Sequence, residues 1–464
     1  MTSSSTTRVL ICATCLLASA PTVGARAETK LTADDVARRA QATSYEVRAR
    51  ADERAAAEAA VDQAMAAYLP RLSGVARYTR LSEIPTTSLG MLVVAPGAQP
   101  GSTPDPSRMI AVPLEFPTLT NQYLAQATVQ VPLSDYVLRL PQARAAASGN
   151  AEAAASSERA ARLRVATEAR VAYYLWLRAR MQVQIAEQAV EQARGHLEDV
   201  RHAAEAETAS TADVLRVESQ AASAELLLTR ARNLVVVSET QLRTLMHDPS
   251  TEPYASAEDL TAAVAGTPEA QAAALLWSEA ASQRLELRAL DESAGAYRQQ
   301  AQVALASGLP RLDAVGNAAW ADPNPRIFPQ DDRFRGTWDA SVQLSWAPTD
   351  LPAAQAARRA AQAHAAQLDD QRAALLDGIK VEVTQSAQAL AEARVAIETA
   401  RRGQRAAEES CRIRRILFQN GRATSVELTD AETELTRARM ELVGAQIDLR
   451  VAHARLVHAL GRDS

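Results

Sequence analysis

The chain is poor in most of what builds a thick globular core. Aromatic residues make up 4% of its 464 residues, and alanine fills much of the difference. Side chains that small suit long helices packed closely along their length. Cysteine is scarcer still: of 3 cysteines, Cys12 and Cys15 lie in an apolar N-terminal stretch, leaving Cys411 alone in the rest of the chain. A lone thiol excludes an intrachain disulfide. Cys411 sits amid Arg and Ala in a helical run, which reads as an inert residue and not a catalytic nucleophile. The net charge of −5 is spread without any basic block, so nucleic acid has no footprint to bind. After residue 20 no apolar run approaches the roughly 18 residues of a membrane-spanning helix.

Chemistry is absent as well. The histidines are His196, His202, His247, His364, His453 and His458, and no two stand at i, i+4 spacing. No Cys or carboxylate cluster completes a metal set, and His453 and His458 read as helix-surface residues. A P-loop, a G-x-G-x-x-G and a G-x-S-x-G are all missing, so an enzyme would lack its usual site. The sequence predicts no cofactor, and work must come from a partner.

Proline is missing where it matters most. The chain has 20, yet none falls in residues 142–248 or 353–464. Each stretch can hold two helices of roughly 50 to 60 residues, or about 75 to 90 Å apiece. Near the middle of the second, Gly421 followed by Thr424 and Ser425 supplies a helix stop and a helix start. The pattern predicts the tip of a long helical hairpin.

A second tip exists. Residues 208–232 align with this one at an offset of 213, which sets Thr211 over Thr424 and Leu215 over Leu428. Leu242 and Met246 match Leu456 and Leu460 after a one-residue gap, and Ala127, Val129 and Val131 match Ala340, Val342 and Leu344. Leu69-Pro70-Arg71-Leu72 recurs as Leu309-Pro310-Arg311-Leu312. The chain is therefore two copies of one unit.

Each copy begins with a helix that ends at this Leu-Pro-Arg-Leu. The first starts at Thr32 with Asp34 and Asp35 and runs to Tyr68; the second starts at Thr267-Pro268-Glu269 and runs to Gly308. The period then changes from 3.6 to 2. Trp338, Ala340, Val342, Leu344 and Trp346 alternate with Asp339, Ser341, Gln343 and Ser345. In the first copy Tyr123, Ala125, Ala127, Val129, Val131 and Leu133 stand opposite Gln126, Thr128 and Gln130. Weaker strands start at Leu72 and Leu312. Segments of about 10 residues with one apolar face suit tilted strands crossing a bilayer. Ten of the 18 Phe, Trp and Tyr lie in residues 68–136 or 309–346, many near strand ends, where an interfacial girdle belongs. Four strands cannot close a barrel, so the chain must oligomerise. The bland alternative is a small soluble sheet capping the helices. The Pro-, Gly- and Thr-rich segment 83–120 reads as a surface loop, long enough to fold over a pore mouth or to act as a spacer.

Residues 1–27 read as an export signal: Arg8, an apolar run from Val9 to Ala20, and Ala25-Arg26-Ala27 as the cleavage site. The organisation is then a first repeat over 28–247, with a strand pair in 69–134 and a hairpin in 140–247. A linker over 248–266 follows, with small structure of its own. The second repeat spans 267–464, with a strand pair in 309–347 and a hairpin in 353–461.

A signal peptide, a helix ending in LPRL, a strand pair and a long hairpin with a G-x-x-x-x-x-[DE] tip, all of it duplicated, resembles the TolC outer-membrane factor family. The resemblance covers essentially the whole chain after the signal. It implies a mainly α fold with a membrane β part, assembling as a trimeric 12-stranded β-barrel on an α-helical tunnel. It further implies a homotrimer in the outer-membrane lipid of a Gram-negative bacterium, with its helices in the periplasm. A periplasmic adaptor and an inner-membrane transporter would be its partners, in efflux or type I secretion. On the family's pattern, Glu427, Asp430 and Asp213 fall at the acidic rings of the pore gate. Gly421, Arg422, Thr424, Ser425 and Thr211 fall at the tip and its adaptor contact. Two departures bear on the latch: Glu207 stands where the family has Gly, and Ala423 where it has Arg. Acids at a helix start also favour the N-terminal dipole, a simpler reading of the same residues. The alternative function is a periplasmic adaptor or coiled-coil scaffold that does not conduct. Cargo is not written in the sequence.

Overall fold

The structure is a computed structural model, which describes residues 29–83, 90–96, 99, 101, 103, 105–113, 119–259, 273–328 and 330–462. The export signal with Cys12 and Cys15, and the helix start at Thr267-Pro268-Glu269, lie outside these residues. In chain order the first half contains β1 (Thr29–Leu31), α1 (Ala33–Thr43), α2 (Tyr45–Ala66), β2 (Arg71–Arg80), β3 (Met91–Val94), β4 (Ile110–Pro113) and β5 (Asn121–Val131). The short turn α3 (Asp135–Leu138), α4 (Leu140–Glu205) and α5 (Thr211–Met246) complete it. The second half contains β6 (Tyr254–Ser256), α6 (Ala273–Gln283), α7 (Leu285–Ala306), β7 (Arg311–Asp322), β8 (Arg335–Ser345), α8 (Leu351–Gln419) and α9 (Ser425–Ala459).

The two hairpins form as expected, but unevenly. Their arms are 66 and 36 residues in the first and 69 and 35 in the second, against an expected 50 to 60 each. Absence of proline marks where a helix can run; it says nothing about where it turns. The turn is placed by residues in the left-handed region, Glu207 (φ 57°) and Gly421 (φ 67°). The leading helices are also not single. Ser44 breaks the first, its Oγ accepting from the Val47 N–H and capping α2. Arg284 breaks the second at the matching place, with Glu46 and Glu286 each in the first turn that follows.

The repeat register at the tips is one residue longer than sequence matching indicates. The helix starts Thr211 and Ser425 stand 214 apart, and so do the buried pairs Ala221 and Leu435, Ala224 and Ala438, Leu242 and Leu456, and Met246 and Leu460. The expected pairing of Thr211 with Thr424 therefore gives way to Ser210 with Thr424. No gap is then needed further down, because burial sets the register and chance identity does not.

By contacts the chain divides into two compact units. One contains Met1–Thr43, Glu168–Thr267 and Ala393–Val451. Here β1 pairs in parallel with β6, the small structure expected of the linker. Around it Tyr173, Trp176 and Tyr254 are fully buried, and the Tyr173 hydroxyl donates to the Leu31 carbonyl at 3.0 Å. Arg243 stacks over the Tyr254 ring at 4.3 Å, and the Tyr254 hydroxyl donates to Asp248 at 2.5 Å. Burial raises the Tyr173 and Tyr254 hydroxyls to about 12. Toward the tips the helices meet along small-residue seams: Val190, Ala193, Ala221 and Ala224 in the first hairpin, and Ala407, Cys411, Leu435 and Ala438 in the second. Small residues at such a seam let the backbones approach closely. Cys411 is buried there, and burial pushes its thiol above the usual range, as an inert residue requires.

The other unit contains Ser44–Thr167, Pro268–Glu392 and Ala452–Ser464. It carries an antiparallel sheet in the order β2-β5-β7-β8, with β2 and β8 as open edges. Its exposure pattern is the reverse of a soluble sheet. On β5 exposed and half-buried residues alternate, and the exposed set is the apolar one, Tyr123, Ala125, Ala127 and Val129. On β8 Trp338 is 79% exposed and Leu344 68%. Cross-strand register continues this face through Leu72, Gly74, Ala76 and Tyr78 and through Leu312, Ala314, Gly316, Ala318 and Trp320, with charge only at its outer end, on Arg80 and Asp322. In water so wide an apolar face is a liability, whereas against hydrocarbon it is required. Aromatics flank it at both ends. Tyr78, Tyr123 and Phe334 stack at the end remote from the helices, with centroids 5.1 and 5.9 Å apart. At the helix end the Trp346 Nε1 donates to the Gly308 carbonyl and the Tyr136 hydroxyl to the Tyr68 carbonyl. Inside the segment expected as a plain loop, β3 and β4 pair as a small hairpin. His453 and His458, expected at the surface, are half-buried on α9.

Candidate functional site

The two tips are built by the same rule. At the second, the α8 chain stops with the Gly421 N–H donating to the Phe418 carbonyl (2.9 Å) and the Arg422 N–H to the Leu417 carbonyl (2.8 Å). Gly421 tolerates the positive φ without strain. Thr424 then caps α9: its Oγ1 accepts from the Glu427 N–H, while the Glu427 carboxylate accepts from the Thr424 N–H at 2.9 Å. This reciprocal box satisfies two amide donors that the helix start would leave unpaired. At the first tip Ser210 and Asp213 form the same box. There Glu207 takes the left-handed position without glycine's freedom.

These boxes settle what the expected gate acids do within one chain. The Thr424 N–H, with Arg414 at 2.6 Å, holds the Glu427 carboxyl below the usual range. The Ser210 hydroxyl and N–H do the same for Asp213. Both stay ionised at neutral pH, yet both are tied to their own turns. Asp430 is exposed, with no hydrogen-bond or ion-pair partner among the described residues. Of the residues expected to form the outer tip, Gly421, Arg422, Thr424 and Thr211 are exposed. Ser425 is not: it is 7% exposed, because its hydroxyl turns inward to another helix.

What it meets is a residue that sequence reasoning passed over. His196, on α4, is 4% exposed, with Nε2 at 3.1 Å from the Ser425 Oγ and Nδ1 at 3.4 Å from the Glu432 Oε2. When Nε2 is the unprotonated nitrogen it accepts from the serine hydroxyl, and the Glu432 carboxylate stands beside the other edge of the ring. Arg415 donates to the other oxygen of Glu432 at 3.1 Å, and the Phe418 ring stands edge-on to the imidazole at 5.2 Å. One buried polar cluster thus joins α4 of the first hairpin to α8 and α9 of the second. Ser, His and Glu in this order also make a hydrolase relay, but a nucleophile this buried admits no substrate carbonyl. No local spacing on α4 marks His196, since its partners Phe418, Ser425 and Glu432 lie more than 200 residues away.

Long paired helices under an inverted four-stranded sheet define the class: an outer-membrane channel. The chain matches the family of outer membrane efflux proteins over residues 36–246 and 276–462, and it belongs to that family. It is a channel and not an enzyme, with its strands in the outer membrane and its helices in the periplasm. Channels of this family work in tripartite systems with an adaptor and an inner-membrane pump. Solved structures share the fold. The outer-membrane channel OprN superposes with a TM-score of 0.75 at 18% identity, over 93% of this chain and 90% of that one. VceC from Vibrio cholerae gives 0.70 at 17%, over 93% and 96%. The open state of the MtrE channel from Neisseria gonorrhoeae gives 0.73 at 16%, over 93% and 89%. A sequence search against curated proteins found no match.

Proposed function

We propose that three copies of this chain close one barrel over a helical tunnel, and that the tunnel opens at the tips when a periplasmic adaptor binds them. One observation carries the reading: an apolar-faced sheet whose two edges, β2 and β8, are unpaired among the described residues. In hydrocarbon each unpaired backbone group costs several kcal/mol, so β8 of one protomer must meet β2 of the next. Three four-stranded sheets make 12 strands, a size within the known barrels.

At the hairpin tips, Glu427, Asp430 and Asp213 supply three carboxylates per protomer, repeated about the axis. A narrow mouth so lined favours cations, and Asp430, unpartnered, is the acid most available to face it. The exposed Gly421, Arg422, Thr424 and Thr211 are the surface offered to the adaptor. The buried cluster around His196 holds the hairpins together until that contact replaces it. The test is ion selectivity in planar bilayers. Wild-type protein should form cation-selective pores, and Asp430→Asn should lower the selectivity; equal selectivity in both would remove Asp430 from the gate.

A further inference from the structure

The sheet's other face holds a polar row that crosses all four strands. The cross-strand register places Ser73 beside Thr128, Thr128 beside Asn317, and Asn317 beside Asp339. They are linked: the Thr128 Oγ1 donates to the Asn317 Oδ1 at 2.8 Å, Gln126 Nε2 to the same oxygen at 3.2 Å, and Asn317 Nδ2 to the Asp339 Oδ2 at 3.0 Å. The remaining oxygen of Asp339 is taken from outside the sheet. Arg326, in the loop between β7 and β8, reaches back to it with Nη2 at 2.6 Å, and its Nη1 donates to the Trp338 carbonyl at 3.2 Å.

The loop is anchored a second time. Asn324 is 2% exposed; its Nδ2 donates to the Arg335 carbonyl and the Thr337 Oγ1, and its Oδ1 accepts from the Arg326 N–H. Thr337 and Asp339 lie on the polar face, opposite Trp338. The loop therefore folds over the inner face of β8 and not over the lipid face. An exposed ion pair alone is a weak fastener, but five bonds from two loop residues, Asn324 and Arg326, to one strand and to each other form a dock.

We infer that Arg326 docks this loop inside the outer mouth of the channel and, by covering Asp339, sets the mouth's charge preference. The inference rests on the barrel reading, since only closure turns this face into a lumen. With Arg326 in place each protomer presents a neutral pair at this level. Without it, Asp339 faces the lumen bare, against Arg77 of β2 and Arg335, which is itself paired with Asp331. R326Q should thus favour cations, and D339N should favour anions.

Two measurements on full-length protein decide it. Bilayer recordings of wild type, R326Q, D339N and the swap R326D/D339R should show selectivity shifted by about twofold or more in opposite directions by the single changes. The swap should restore it. Trypsin applied to intact cells should cut after Arg326 about tenfold faster in D339N, the equivalent of about 1.4 kcal/mol of lost docking. Unchanged selectivity in the single variants, or an unchanged cleavage rate, overturns the inference. A wild type that forms no pores defeats the channel reading instead, and the cleavage rates still test the docked loop.

Discussion

Replacing His196 by alanine tests how the tips are held shut. The ring is buried and meets Ser425, Glu432 and Phe418 on the other hairpin. Its removal leaves the Ser425 hydroxyl without an acceptor and Glu432 with Arg415 alone, and it opens a void. A buried group left unsatisfied costs about 1–3 kcal/mol, and a void adds to that. A loss of about 3 kcal/mol from the closed arrangement corresponds to about a 100-fold shift toward the open one. Single-channel recording reads this directly as open fraction. Because the cluster sits at the end of helices whose packing lies elsewhere, melting of the whole protein should move little. Ser425→Ala should do less, about 1 kcal/mol, and because the two share one network the double variant should fall short of the sum by about 0.5–1 kcal/mol. An unchanged open fraction together with a large drop in Tm would refute the reasoning, for His196 would then be packing and not a fastener.

Other consequences follow from the same geometry. The carboxyls of Glu427 and Asp213 titrate lower in the folded tips than in an unfolded chain, so their contribution is complete above about pH 4.5 and is lost as pH falls through the folded values. Amide exchange at residues 424–428 and 210–214 should therefore quicken, relative to the intrinsic rate, as pH falls below about 4.5. Gly421→Ala should cost about 1 kcal/mol because its φ is 67°, while Glu207→Gly should gain a similar amount at φ 57°. Chemical denaturation of tip-reporting fluorophores measures both. On the sheet, Ala340→Lys puts a charge at the middle of the apolar face and should cost about 2–4 kcal/mol of barrel stability, whereas Ser341→Lys, one residue away on the polar face, should assemble normally. Heat resistance of the assembled band on gels distinguishes them.

How much of this was legible beforehand depends on sequence distance. Helices without proline, strands with one apolar face and the helix stop and start at Gly421, Thr424 and Ser425 are local patterns, and all are present. Ser44 shows the limit of that legibility: one serine in an alanine-rich run carries the same signal whether it decorates a helix or breaks it. The repeat offset slipped by one because Thr211 and Thr424 are chemically alike, and only burial separates Ser210 from Thr211 as the true equivalent. His196 was invisible for a stronger reason. Its meaning comes from Ser425 and Glu432, more than 200 residues on, and no spacing on α4 encodes them. The same holds for Arg326, whose role depends on a loop turning inward to Asp339.

The central claim is that the open sheet is one third of a barrel. The most direct measurement is the mass of the full-length protein extracted in detergent from the outer-membrane fraction. The account predicts three chains per particle, found in that membrane. A soluble monomer or dimer in the periplasm would contradict it, since an apolar-faced sheet with two bare edges would then have to be stable in water.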